Sequence, residues 1–243
     1  MSAESPRVPL VLLPGAMCDH RLFAGQLHAL GPGVMVGDLT RSDSIEQMAR
    51  DVLDAAPERF AVAGLSLGGI VAAEIAHQAP ERLHGLALLD TNLAMPDGRQ
   101  LAQRAQWAHR VRAGEFARVI AEDLVFPMTS KTEHHGVVFD MAYRTGATTF
   151  LQQNEALLHR RDRRQDLASI TAPTLVACGR EDVICPPHIH RDLAARIPGA
   201  ELIEVDGAGH LATIDQPKAL TSAIEHWLTV CAETTTTNRG RQQ

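Results

Sequence analysis

Short apolar runs alternate along the chain with longer segments whose apolar positions recur at helical spacing. The runs Pro9–Leu13, Val34–Gly37, Phe60–Gly64, Leu86–Leu89, Thr174–Cys178 and Glu201–Val205 are almost continuous Val, Leu and Ala. Such runs suit strands buried on both faces, so the alternation predicts an α/β fold with a mostly parallel sheet of about six strands. The helical period predicts helices over Ile45–Ala55, Leu67–Ala79, Pro187–Arg196 and Pro217–Val230. Asp43 or Ser44 suits the cap of the first of these, and Asp215 the cap of the last. Between Thr91 and Gln165 no run reads as a buried strand, whereas Leu101–Ala113 and Phe150–His159 carry helical patterns. The expected organisation is a core of residues 1–91 and 166–231, a helical insertion over 92–165, and a tail. From Ala232 onward four threonines and a polar run offer no apolar anchor, which predicts a disordered tail over 232–243.

Composition narrows what this scaffold does. Nine aromatic residues in 243 leave little for stacking on sugars or single-stranded nucleic acid. A net charge of −6 gives no global field for phosphate, so no nucleic-acid partner is expected. The first apolar run stops at Pro14-Gly15, too short to span a membrane or to form a convincing secretion signal. The stretch Leu13–Cys18 matches a lipoprotein cleavage site only loosely, because Met17 is bulky where a small residue is wanted. Cys18, Cys178, Cys185 and Cys231 include no C-x-x-C pair and read as reduced thiols, which places the expected location in the cytoplasm.

Gly64-Leu65-Ser66-Leu67-Gly68 lies between a predicted strand and a predicted helix. This is the G-x-S-x-G pattern of a nucleophile elbow, in which a strained turn lifts the serine hydroxyl clear of the sheet. A serine hydroxyl needs an adjacent base oriented by a carboxylate. Asp182 and His210 follow the fifth and sixth predicted strands, at the same sheet edge as Ser66. Glu181 and Asp90 are rival carboxylates. An oxyanion formed at Ser66 needs backbone donors, and the amide of Leu67 supplies one. The loop Pro14–Met17 supplies the other through Ala16, with Met17 as the alternative. The histidine pairs His188/His190 and His134-His135 lack convergent ligands at metal spacing. No metal or organic cofactor is required. Cys18 lies beside the oxyanion loop but reads as a packed thiol.

With these residues in place the chain resembles the α/β-hydrolase family over nearly its whole length. The matching elements are Leu12-Leu13-Pro14-Gly15, the Ser66 elbow, Ala79-Pro80-Glu81-Arg82-Leu83, Gly179–Asp182 followed by Pro186, and Gly209-His210. The resemblance implies a Ser–Asp–His hydrolase with a helical cap, and the 92–165 insertion lies where the family carries it. Pro14-Gly15 replaces the family's common His-Gly. The segment Asp38–Ser44 lacks the glycine-rich turn many members show. The family's two amino-terminal strands have no counterpart here, so six strands are expected.

The implied activity is hydrolysis of small or medium carboxylic esters through an acyl-enzyme. Lactones, carrier-linked methyl esters or thioesters, a lyase, acyltransferase or carbon–carbon hydrolase, and a non-catalytic receptor stay open on the same fold. The insertion holds eleven basic residues against eight acidic ones. Such a lid suits an anionic substrate or an acidic carrier protein, and solvated helix faces with i,i+4 pairs account for the same residues.

Overall fold

A computed structural model describes residues 8–129 and 131–240. Six strands, β1 Leu10–Leu13, β2 Val34–Val36, β3 Phe60–Leu65, β4 Leu83–Leu89, β5 Thr174–Gly179 and β6 Glu201–Val205, form one sheet. Its order is β2-β1-β3-β4-β5-β6, and every neighbouring pair is parallel. All six expected strands are present, and no residue of β1, β3 or β5 is exposed.

Successive residues of a strand serve opposite faces, and two apolar clusters show it. Val11, Leu13, Val62, Leu86, Leu88 and Val176 pack on the side of α2 (Ile45–Ala55), α3 (Leu67–Gln78) and α8 (Pro187–Arg196). Leu10, Leu12, Ala61, Ala63, Leu89 and Ala177 face the other side with Trp227 and Ile224 of α10 (Pro217–Gly240). That side also holds α1 (Ala24–Leu30) and the short α9 (Ala212–Asp215). Helix α2 starts where Ser44 accepts the Gln47 amide, so Ser44 rather than Asp43 is its cap.

The expected tail needs correcting. Helix α10 continues past Ala232 as far as Gly240 instead of ending near Val230, while 241–243 lie outside the described residues. The sequence after Val230 contains no proline and reaches a glycine only at Gly240. Thr229 and Thr234 turn their hydroxyls back onto the carbonyls of Glu225 and Val230, so these threonines stay within the helical hydrogen-bond pattern.

Between β4 and β5 every regular element of the described residues is helical. In order these are α4 Gly98–Arg112, α5 Phe116–Val119, a π-turn at Ile120–Leu124, α6 Val125–Met128, a 3-10 turn at Thr132–His134, α7 His135–His159 and a 3-10 turn at Leu167–Ser169. Helix α7 is two segments joined at Gly146, whose φ of 89° only glycine adopts without strain. The ends of the insertion close on each other where the Arg163 amide donates to Leu93 O at 3.1 Å. Asp97 and Gln100 form a reciprocal capping box at the start of α4.

Candidate active site

Ser66 stands between β3 and α3 at φ 55° and ψ −113°, a conformation that L-residues avoid. The backbone holds it there. The Ser66 amide donates to Leu89 O at 2.9 Å, and the amides of Gly69 and Ile70 both donate to Ser66 O. The turn also requires its glycines. A Cβ at Gly64 would lie 2.1 Å from Gly68 O, and one at Gly68 would lie 2.0 Å from Leu13 O.

The structure brings Ser66, His210 and Asp182 together. Ser66 Oγ lies 2.9 Å from His210 Nε2, and His210 Nδ1 lies 2.8 Å from Asp182 Oδ2. The other Asp182 oxygen accepts the amides of Ile184 and Cys185 at 2.8 and 2.9 Å. Burial opposes charge on Asp182. His210 and the two amides outweigh it and hold the carboxyl below its ordinary range.

The rival carboxylates do other things. Glu181 is exposed. Asp90, at φ 43° and fully buried, accepts the Gly179 amide at 2.7 Å and the Ala212 amide at 3.4 Å, which ties β4 to the loop ends beside it. Burial and the nearby Asp182 push its carboxyl well above the ordinary range, and the two amides offset part of this.

A carboxyl raised in the fold contributes stability that is complete below its unfolded pKa of about 3.9 and is lost as pH rises toward and through the folded value. Asp90→Asn keeps an acceptor for Gly179 but removes that proton. Its urea midpoint, relative to wild type, is therefore expected to rise between about pH 4 and pH 8. An unchanged difference across that range would show that Asp90 titrates no differently in folded and unfolded chains.

The loop after β1 lies opposite. Met17 is buried at φ 61°, and its amide donates to Gln153 Oε1 of α7 at 2.8 Å. Gln153 Nε2 in turn donates to Leu39 O. Gln153 thus fixes this loop, and the sequence gives no sign of it because its partner lies 136 positions away. Ala16 lines the same cavity as Ser66, and the Leu67 amide, next in the chain after Ser66, opens α3 at the positive end of its dipole.

Asp215 was also hidden by its apparent role as a helix cap. One of its oxygens accepts the Gly209 amide at 2.8 Å, next to His210. The other meets Thr129 Oγ1 and, at 2.9 Å, His134 Nδ1, both from the insertion.

Of the other flagged residues, His190 is buried and accepts the Thr91 amide at 2.8 Å. Burial pushes its pKa down to about 4. Asp182, Cys185 and His210 place ligand-type atoms within 4.8 Å of one another, but the aspartate and histidine already bond to each other. Burial and Asp182 drive the Cys185 thiol well up, and burial pushes Cys18 up to about 12, so both thiols stay protonated at neutral pH.

A cavity of about 130 Å³ opens over Ser66 and His210. Helix α7 presents Phe150, Gln153, Asn154 and Leu157 to it at i, i+3, i+4 and i+7, and α4 presents Gln100, Arg104 and Trp107. Leu124, Met128 and Ile70 add apolar wall.

Residues 10–223 match the α/β hydrolase family. The chain belongs to that family. Among similar proteins, this α/β hydrolase is 36% identical over 179 residues to RutD of Azorhizobium caulinodans, named as a carbamate hydrolase. That match covers 69% of the chain and 66% of the relative, a little under two thirds of the latter's length. It is 26% identical over 201 residues to a pimeloyl-[acyl-carrier protein] methyl ester esterase of Nitrosomonas europaea, covering 75% and 77% of the two chains. The solved thermophilic esterase of Thermogutta terrifontis superposes with a TM-score of 0.85 at 25% identity, covering 93% of this α/β hydrolase and 90% of that chain.

Proposed function

We propose that this α/β hydrolase cleaves carboxylic esters of small or medium acyl groups by a Ser–His–Asp mechanism. The observation that carries the reading is the continuous hydrogen-bonded line from Ser66 Oγ through His210 to Asp182 at the floor of a small, largely apolar cavity. His210 takes the Ser66 proton as Oγ attacks the acyl carbon. Asp182 holds the imidazole tautomer and stabilises the imidazolium. Met17's amide is committed to Gln153, so Ala16 is the donor from that loop and joins Leu67 in holding the oxyanion. His210 returns the proton to the leaving alcohol and then activates a water that releases the acid. The same steps open a lactone. No step calls for a metal or an organic cofactor.

The esterases among the relatives support this reaction class, and the cavity's size favours a small-molecule substrate. Four buried cysteines suit a reducing cytoplasm. Among the described residues no helix is long and apolar enough to cross a membrane.

A p-nitrophenyl alkylphosphonate tests the reading directly. Wild-type protein is expected to release one burst of p-nitrophenol and to carry the phosphonyl group on the peptide containing Ser66, read by mass spectrometry. Labelling at another residue, or no burst with any alkyl length, would overturn it.

A further inference from the structure

Most arginines of the helical insertion are already neutralised. Arg110 is held by Glu115, Glu122 and Asp123, Arg144 by Asp140, Arg164 by Asp162, and Arg163 by Glu74 and Asp166. The general basic surplus therefore reduces to ordinary ion pairs over much of its surface. Arg104 and Arg160 differ. Among the described residues neither has a carboxylate within 4.0 Å, and both line the cavity above Ser66. Arg160 is 7% exposed; its Nε donates to Ala94 O at 2.8 Å and its Nη1 to Leu157 O at 2.9 Å. Arg104 donates to Asn154 Oδ1 at 3.3 Å. These neutral acceptors orient the guanidinium groups without balancing their charge.

A buried cation such as Arg160 is costly without a counter-charge, and the half-buried Arg104 beside the same cavity adds to that cost. Burial and the charge of Arg160 push Arg104 down to about 10, so it is still cationic at neutral pH. An independent observation points the same way. Trp107, three residues after Arg104 on α4, lines the same cavity, and its indole N–H is buried with no acceptor among the described residues. Two cations and an unmet donor converge where a substrate would lie.

We propose that Arg104 and Arg160 form a carboxylate subsite, with Trp107 as a further donor, and that the preferred substrates are esters or lactones carrying a second, free carboxylate. This rests on the proposed Ser66 chemistry and names its substrate class. Planar guanidinium forks match a carboxylate, and Arg104 and Arg160 line the same cavity of about 130 Å³ as Ser66.

The probes are the monomethyl esters of succinate, glutarate and adipate, each paired with its neutral amide twin. For the best-fitting length, wild-type kcat/KM is expected to favour the anion by about tenfold or more, mainly through KM. Arg104→Met is expected to bring that ratio close to one, and Arg104→Lys to restore part of it. Titration of the same pairs into Ser66→Ala protein reads the subsite without turnover, and the anion should again bind about tenfold tighter. Equal binding and equal turnover of anion and amide at every length overturns the subsite while leaving the esterase reading intact. Preferential anion binding without hydrolysis of any ester supports the subsite and overturns the esterase reading instead.

Discussion

Ser66→Ala is expected to lower kcat/KM for short-chain p-nitrophenyl esters by at least about a thousandfold, with the thermal unfolding transition unmoved. The two halves of this expectation have different causes. The hydroxyl that faces His210 at 2.9 Å is the group that would form the acyl-enzyme, so its loss removes the covalent route. The elbow itself is held by backbone bonds to Leu89, Gly69 and Ile70, none of which uses the side chain. Alanine meets the positive φ at the same cost as serine. Removing His210 in the Ser66→Ala background should add little, because the groups act as a unit. Ester turnover within about tenfold of wild type, after exclusion of contaminating esterase, would place the nucleophile elsewhere.

Gly68→Ala is expected to lower the melting temperature by about 6–12 °C, or to prevent soluble expression. The new methyl would lie 2.0 Å from Leu13 O and 2.9 Å from the Leu13 side chain. Backbone oxygen cannot rotate away as a flexible side chain can, so α3 must back off from β1. Overpacking of this kind costs about 3 kcal/mol or more, and each kcal/mol is about 2–4 °C for a chain of this size. Gly136→Ala is the control: it lies in α7 with nothing within 4 Å of the added Cβ, and should leave the transition in place or raise it slightly. Equal melting temperatures for the two variants would mean that the elbow is looser than its geometry states.

Ser66 and Gly68 stand out in the sequence because the elbow's shape is local, whereas the close approach of Gly68 to Leu13 needed the structure. Glycine, serine and glycine at fixed spacing after a strand specify backbone shape directly. The strands were legible for a similar reason: with helices on both faces, β1, β3 and β5 have no polar side to confuse the pattern. Helix α1 escaped because Ala-Gly-Gln-Leu-His-Ala-Leu has too few apolar positions to show a period, and no side chain caps its start. The extension of α10 escaped because polarity was read as disorder, whereas threonine hydroxyls can bond within their own helix.

At the site, Ser66, Asp182 and His210 could be named from strand-end positions, and the hydrogen bonds show what the rival Asp90 does instead. Gln153 and Asp215 were not legible because their roles belong to partners distant in sequence or in a different segment. Arg104 and Arg160 look like their neighbours in the sequence. Their place in the cavity wall, together with the absence of an acidic partner among the described residues, distinguishes them in three dimensions.

Asp215 couples two events that are usually treated separately. One oxygen steadies the turn that carries the imidazole, and the other grips Thr129 and His134 of the lid. The Leu211 amide adds a second tether, to Met128 O at 2.9 Å. The segment over the cavity and the turn that carries His210 thus hang on a single side chain, and a substitution at Asp215 is expected to loosen both together.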